Sequence, residues 1–309
     1  MVLILMAVYN GEAFIADQIK SILEQSYQDF VLYINDDAST DSTFDIAKQF
    51  SAEFPGKIIV TKNHANSGGA KHNFFDMMSK YKNDYIMLCD QDDIWLPDKI
   101  KVTLAEMKKA ETTYTANTPI LIHTDLRVVN ENLSRIVSHS FKEAMNANYS
   151  RTLLRDQVIQ NTLTGCTAMY NKSLANLIEK KPRFMVMHDW WLMLIASAFG
   201  EIVTIDEQTI LYRQHSKNLI GAKDVRKLLY KVNKLLRYRE IKTALSETYI
   251  QSQSFLDIYK DRLTSEQIEL LEVYCKIPEM YKLKRLQTIL RLGTRKNGLS
   301  RNIAYSMFV

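Results

Sequence analysis

Apolar positions alternate between two rhythms along the chain as far as Thr124. Runs rich in β-branched and aromatic residues at 2–8, 30–34, 58–61, 85–89 and 120–123 have the length and composition of buried strands. Between them the spacing becomes helical, first at Phe14, Ile15, Ile19, Ile22 and Leu23, then at Phe44, Ile46, Ala47 and Phe50, then at Phe74, Phe75, Met77 and Met78. Strand and helix in alternation predict an α/β fold whose mostly parallel central sheet is flanked by helices. Ligands of such sheets sit outside the carboxyl ends of the strands, so chemistry is sought in the residues that follow each run.

Beyond Thr124 the alternation loosens, with strands predicted at 163–170 and 202–212 around a strongly apolar helix at 189–199. From Lys223 the pattern is helical, with Leu and Tyr recurring among lysines. We therefore expect one large domain over 1–222 and a helical appendage over 223–309, with no internal repeat.

Composition and charge add to this picture. With 46% hydrophobic and 24% charged residues in 309, the chain has the ordinary balance of one that buries a sizeable core. Its longest apolar runs, 1–9 and 190–199, fall short of the roughly 18 residues a membrane span needs. The amino terminus has neither a positive region before its apolar run nor a small-residue cleavage site after it, so it reads as a first strand rather than a signal peptide. Cys89, Cys166 and Cys275 lie far apart, as free thiols of a reducing cytoplasm do. Finally, the net charge of +5 is uneven: residues 223–309 carry 18 Lys and Arg against 9 Asp and Glu, and the rest carries 22 against 26. A basic tail meets a membrane surface or nucleic acid, or is a solvated helical face.

The first run ends in Tyr9-Asn10-Gly11 and the second in Asp36-Asp37-Ala38-Ser39-Thr40-Asp41. Asp and Ser here turn the chain and cap the next helix. Capping alone leaves two adjacent acids repelling one another at a strand end, and a carboxylate there is placed to accept the ring N–H of a pyrimidine under an aromatic such as Tyr9. The fourth run ends in Asp90-Gln91-Asp92-Asp93-Ile94-Trp95-Leu96-Pro97. An Asx turn capping the next helix would use Asp93; clustered oxygen donors also suit a hard divalent cation that holds a diphosphate. His215, after Tyr212-Arg213-Gln214, is either packing or a ligand beside the diphosphate-facing Arg213. The loop from Asn63 to Lys71 resembles a phosphate-cradling turn without P-loop spacing. His188-Asp189-Trp190-Trp191 opens the apolar helix, where Asp189 is a cap, a base made more basic by desolvation, or both.

Taken in order over 1–218, Tyr9-Asn10-Gly11, the Asp36–Asp41 turn, Asn66-Ser67-Gly68, Asp90-Gln91-Asp92-Asp93-Ile94-Trp95, His188-Asp189-Trp190 and Tyr212-Arg213-Gln214-His215 resemble family 2 glycosyltransferases of the GT-A fold. The Asp-Gln-Asp-Asp-Ile-Trp wording is similar to that of bacterial rhamnosyltransferases of cell-surface polysaccharide synthesis. The resemblance implies that Ala7, Tyr9, Asn10, Glu12, Asp37, Asn66, Gly68, Lys71, Asp90, Gln91 and Arg213 bind a nucleoside-diphosphate sugar. It makes Asp92 and His215 ligands of Mg²⁺ or Mn²⁺, with Asp90 facing the ribose or a metal-bound water, and Asp189 the general base of an inverting reaction. Ala38 replaces the usual Gly or Ser of the turn.

These residues and the resemblance together lead us to expect an inverting transferase acting on a lipid-linked glycan acceptor, with dTDP-L-rhamnose as donor. It would work in the cytoplasm or peripherally at the inner face of the cell membrane. Lys227, Lys231, Lys234 and Arg237 with Leu228, Leu229, Leu235 and Leu236 would bind anionic membranes or form a homo-oligomer contact. The rival classes are a catalytically silent nucleotide-sugar binder of the same fold, against which Asp189 argues, and a nucleic-acid-binding protein, whose motifs the tail lacks.

Overall fold

The computed structural model describes residues 1–115, 117–134, 140–215 and 238–309. Contacts divide the chain into two compact units, the first made of Met1–Phe141, Leu163–Lys181 and Gly200–Ala222, the second of Lys142–Thr162, Pro182–Phe199 and Lys223–Val309.

The first unit carries all eight strands: β1 (Val2–Val8), β2 (Phe30–Asp36), β3 (Ile58–Lys62), β4 (Tyr85–Cys89), β5 (Ile94–Trp95), β6 (Ile120–Asn130), β7 (Ala168–Asn171) and β8 (Glu201–Gln214). They form one sheet in the order β3-β2-β1-β4-β7-β6-β8-β5. Pairings β1–β2, β1–β4, β2–β3 and β6–β8 are parallel, whereas β7 runs antiparallel to β4 and β6, and β5 to β8. The predicted run at 163–170 becomes a strand only at Ala168, because the Thr164 carbonyl accepts both the N–H and the hydroxyl of Thr167 and closes a turn first.

Every residue of β1 is buried, as a strand covered on both faces must be. Helix α1 (Ile15–Leu23) lays Ile15, Ile19 and Ile22 on one face, and α2 (Thr43–Glu53) adds Ala47 to the same core. Burying each large side chain contributes about 1.5–3 kcal/mol. Phe74, Phe75, Met77 and Met78 are the buried face of α3 (Ala70–Lys80), and α4 (Lys99–Tyr114) buries Ile100, Leu104 and Met107.

Gly200, just before β8, is held closely by backbone. A Cβ there would lie 1.9 Å from the Pro119 carbonyl oxygen, which already accepts the Glu201 N–H at 2.9 Å. Gly200→Ala is expected to cost about 3 kcal/mol, the upper end of ordinary overpacking. An unchanged midpoint in urea unfolding would show that the backbone yields freely.

Short helices α5 (Phe141–Ala144), α6 (Leu154–Gln157) and α7 (Lys172–Ala175) punctuate the middle of the chain. The second unit is built on α8 (His188–Phe199) with α9 (Tyr238–Tyr259), α10 (Ser265–Cys275), α11 (Lys282–Leu292) and α12 (Leu299–Phe308). Trp191 of α8 meets Phe255 of α9 edge-on at 5.5 Å, and Phe255 meets Tyr259 at 4.7 Å. A reciprocal Thr264–Gln267 capping box starts α10, and the Gln267 amide also donates to the Ala198 carbonyl at 2.8 Å. Among the described residues no helix is long and apolar enough to cross a membrane. The expected membrane segment at 227–237 lies outside the described residues.

Candidate active site

Parallel pairing of β1 with β2 and β4 brings the turns after all three strands to one edge of the sheet. Two of these turns need left-handed backbone, at Asn10 (φ 47°) and Ala38 (φ 63°). Asn tolerates that region; alanine does so at a cost of about 1–2 kcal/mol, so the Ala38 turn is held by its surroundings. Tyr9 and Gln91 lock the β1 and β4 ends together: the Gln91 side chain accepts the Tyr9 N–H at 2.8 Å and donates to the Tyr9 carbonyl at 3.0 Å. The Tyr9 ring itself is exposed.

The two adjacent acids have separate partners, which relieves their repulsion. Asp36 accepts the Ser39 N–H at 2.9 Å and faces Lys62 at 3.8 Å. Asp37, also buried, accepts from the Asn63 amide and the Ser67 N–H at 2.8 Å each through Oδ1, and from the Ser67 hydroxyl at 2.9 Å through Oδ2. Asn63 is held in turn by Asn35, which is paired in both directions with Asn73 of α3. Asn66 donates to the Asp37 carbonyl at 3.3 Å and accepts the Gly68 N–H at 2.9 Å, with Gly68 at φ 99°. Ala7 pairs in register with Asn35, and Lys71 lies in the first turn of α3. Glu12 receives the Ser42 N–H at 3.0 Å and Asn10 the Thr40 N–H at 2.9 Å, so both also secure the start of α2.

The acids after β4 meet the end of β8. Asp92 Oδ2 lies 2.8 Å from His215 Nε2, and the His215 ring stacks on Phe14 at 4.4 Å. The same Phe14 ring carries the Arg213 guanidinium at 4.9 Å. Arg213 also pairs with Asp17 at 3.1 Å and donates to the Glu131 carbonyl at 3.2 Å. Asp93 is fully buried; its Oδ1 accepts the Arg213 N–H at 3.3 Å, the Cys166 thiol interacts with its carboxyl, and its Oδ2 has no geometric hydrogen-bond partner among the described residues. Burial first, then the charges of Asp92 and Asp90, hold the Asp93 carboxyl well above the usual carboxylate range.

Asp90, Asp93 and Cys166 offer ligand atoms within 4.8 Å of one another. Burial pushes the Cys166 thiol up, as it does that of Cys89. The donor set around Asp90, Asp92 and Asp93, with His215, is oxygen-rich and includes an orphaned buried carboxylate oxygen, so it fits a hard divalent cation better than a soft one. Sequence reasoning missed Lys99, which is fully buried in the first turn of α4, has no hydrogen-bond partner for Nζ among the described residues and lies 4.8 Å above the Trp95 ring. Burial lowers its pKa to about 8 against the pull of Cys166, Cys89 and Asp93. Its signal was spacing: Lys99 shares the buried face of Ile100, Thr103, Leu104 and Met107.

Asp189 belongs to the second unit, in the first turn of α8. It is buried and accepts the Trp190 N–H at 2.6 Å, while the Trp190 indole donates to the Gln157 carbonyl at 2.6 Å. Burial pushes the pKa of its neighbour His188 down from 6.5 to about 3. The folded ring therefore stays neutral while the unfolded ring takes a proton below about 6.5. Stability from this site is complete above that pH and is lost as pH falls toward 3, by roughly 5 kcal/mol at most. Unfolding titrations at pH 7 and pH 4.5 should show this slope in the parent and its loss in His188→Phe; equal slopes would refute it.

The family described as Glycosyl transferase family 2 matches residues 3–178. The chain is 31% identical over 269 residues to the dTDP-rhamnosyl transferase RfbG of Shigella flexneri, spanning 82% of this chain and 86% of that protein. It is 27% identical over 194 residues to the putative teichuronic acid biosynthesis glycosyltransferase TuaG of Bacillus subtilis (strain 168), spanning 62% and 70% of the two. Among solved structures, S. aureus TarS 1-349 in complex with UDP matches with a TM-score of 0.55 at 15% identity, over 95% of this chain and 92% of that one. The mannosyltransferase PcManGT from Pyrobaculum calidifontis, in complex with GDP-Man and Mn2+, matches with a TM-score of 0.51 at 15% identity, over 94% and 84%. At such identities the two structures speak for the fold, which is of the GT-A type.

Proposed function

The chain belongs to glycosyl transferase family 2, and from that premise we propose that it is an inverting, metal-dependent transferase that moves L-rhamnose from dTDP-L-rhamnose to a hydroxyl of a lipid-linked precursor of a cell-surface polysaccharide. The observation that carries the reading is the Asp92–His215 pair, 2.8 Å apart beside the orphaned Asp93 oxygen, at the carboxyl ends of the strands. The choice of rhamnose and dTDP leans on the name of the Shigella relative.

In this proposal residues 1–222 bind the donor and carry catalysis, and 223–309 form the basic helical region. Tyr9 covers the base and Asp37 accepts its ring N–H, since among the described residues Oδ2 accepts only the Ser67 hydroxyl and a carboxylate oxygen has room for more. Ala7, Asn10, Glu12, Asn66, Gly68, Lys71, Asp90 and Gln91 shape the nucleotide-sugar pocket. Arg213 would exchange its half-exposed partner Asp17 for the diphosphate. Asp92 and His215 would hold Mg²⁺ or Mn²⁺, with Asp90 alongside. Such a cation, when bound, offsets charge on the departing diphosphate. Asp189 takes the proton of the acceptor hydroxyl. A lipid-linked acceptor places the enzyme in the cytoplasm at the inner face of the membrane.

The test is release of nucleoside diphosphate from a panel of dTDP-, UDP- and GDP-sugars, with and without Mg²⁺ or Mn²⁺. Release confined to dTDP-L-rhamnose supports the reading, preference for another donor overturns the sugar assignment, and release that ignores a chelator overturns the metal dependence. A product that retains the donor's anomeric configuration would overturn inversion.

A further inference from the structure

Residues 280–309 contain seven Lys and Arg and no Asp or Glu. They form α11 and α12, and both helices turn aliphatic residues outward. Leu283 and Leu290 stand two turns apart on α11, and Leu299, Ile303 and Met307 follow at i, i+4 and i+8 on α12. All five are 52–79% exposed, as is Tyr281 just before α11 at 67%.

The same helices are anchored by other positions. Thr288, Ile289 and Tyr305 are buried, and the Tyr305 hydroxyl is 3.1 Å from that of Thr294. Lys282 Nζ donates to the carbonyls of Ser306, Met307 and Val309 at 2.8, 2.7 and 3.0 Å, which fixes the end of α12 against α11. The outward stripes are therefore not needed to hold the helices in place. Around them, Lys284, Arg291 and Arg295 make neither a hydrogen bond nor an ion pair among the described residues. Arg295 and Arg155, the latter likewise without a partner among the described residues, line a cleft of about 600 Å³ beside Gly293. The third guanidinium there, Arg151, is taken by Asp156 and the Lys296 carbonyl.

We propose that the outer face of α11 and α12 docks on an anionic phospholipid bilayer, with the aliphatic stripes entering the headgroup boundary and Lys284, Arg291, Arg295 and Arg155 meeting lipid phosphates. Aliphatic stripes flanked by cations, with no acid in either helix, are the pattern of interfacial helices. Charge decides against a second copy of the chain as occupant, because two such surfaces would bring fourteen positive charges together with no acid in either segment. The surface deepens the proposed action on a lipid-linked acceptor and takes its purpose from that reading, yet its binding needs neither donor nor acceptor. It is separate in sequence from 227–237, the segment whose lysines, arginine and leucines the sequence singled out.

The experiment is co-sedimentation of the full chain with vesicles of phosphatidylcholine alone or with phosphatidylglycerol added, at low salt. Three proteins are compared: the parent, a stripe variant (Leu283→Gln, Leu290→Gln, Leu299→Gln, Ile303→Gln, Met307→Gln) and a charge variant (Lys284→Glu, Arg291→Glu, Arg295→Glu). The parent should bind the anionic vesicles at least about tenfold more tightly than the neutral ones. Each variant should lose about tenfold while keeping the parent's melting temperature and its rate of nucleoside diphosphate release in solution. Parent-like vesicle binding by both variants would overturn the inference, as would equal parental binding to both vesicle types. A parental dimer that the stripe variant dissociates, without vesicle binding, would assign the face to self-association instead. Vesicle binding by a protein that releases no nucleoside diphosphate would uphold the surface and sink the enzymatic reading.

Discussion

Asp189→Asn is expected to transfer sugar at least about a hundredfold more slowly than the parent, with the loss in kcat and with donor and metal binding unchanged. An alcohol attacks an anomeric carbon poorly until its proton can leave, and a positioned carboxylate contributes about 10²–10⁴-fold to that step. Asparagine keeps the size of the side chain and an oxygen that can accept the Trp190 N–H now received at 2.6 Å, so α8 should keep its start. Only basicity is removed. A residue that merely secured the helix would change the melting temperature and leave turnover near normal. Near-normal transfer by a folded Asp189→Asn protein would therefore exclude the base assignment.

Asp92→Ala should abolish metal-dependent donor binding in calorimetry, because it removes an anionic oxygen from the place where the cation would bridge protein and diphosphate. It also leaves His215 without the carboxylate now 2.8 Å from its Nε2, although the Phe14 ring still holds the imidazole plane. The two losses are separable: His215→Gln keeps all three acids and should weaken donor binding less than Asp92→Ala does. Donor affinity equal to the parent's in Asp92→Ala, with metal present, would remove Asp92 from the metal site.

Strands β1 and β4 were legible to the residue because both are continuous apolar runs, the pattern of strands covered on two faces. Strand β6 was legible only to His123. It continues to Asn130 through a stretch that mixes polar residues with buried Leu126, Val128 and Val129, and its polar members find partners on β8, with Thr124 on Thr209 at 2.7 Å and His123 on Thr204 at 3.0 Å. Two-residue β5 left no periodicity at all and exists because Ile94 and Trp95 pair with Leu211 and Ile210. The acidic turn and His215 could be picked out as candidates, since their composition at strand ends is unusual. Their support could not, because Arg213 finds Asp17 across 196 positions. The same limit applies to Lys99, whose helix spacing pointed inward but whose neighbour Cys166 comes from a distant segment.

The ties that hold Asp37 all come from outside its own turn: Asn63 and Ser67 lie beyond β3, and Asn73 steadies Asn63 through Asn35. No isolated hairpin or helix of this chain contains this set of ties, which comes into being only with the assembled sheet. A nucleotide that recognises Asp37 so arranged discriminates between folded and unfolded chains, and by mass action it stabilises the folded one by RT ln(1 + [L]/Kd). On the proposed binding mode, cellular nucleotide-sugar supply would then set not only how fast the enzyme works but how much of it survives proteolysis.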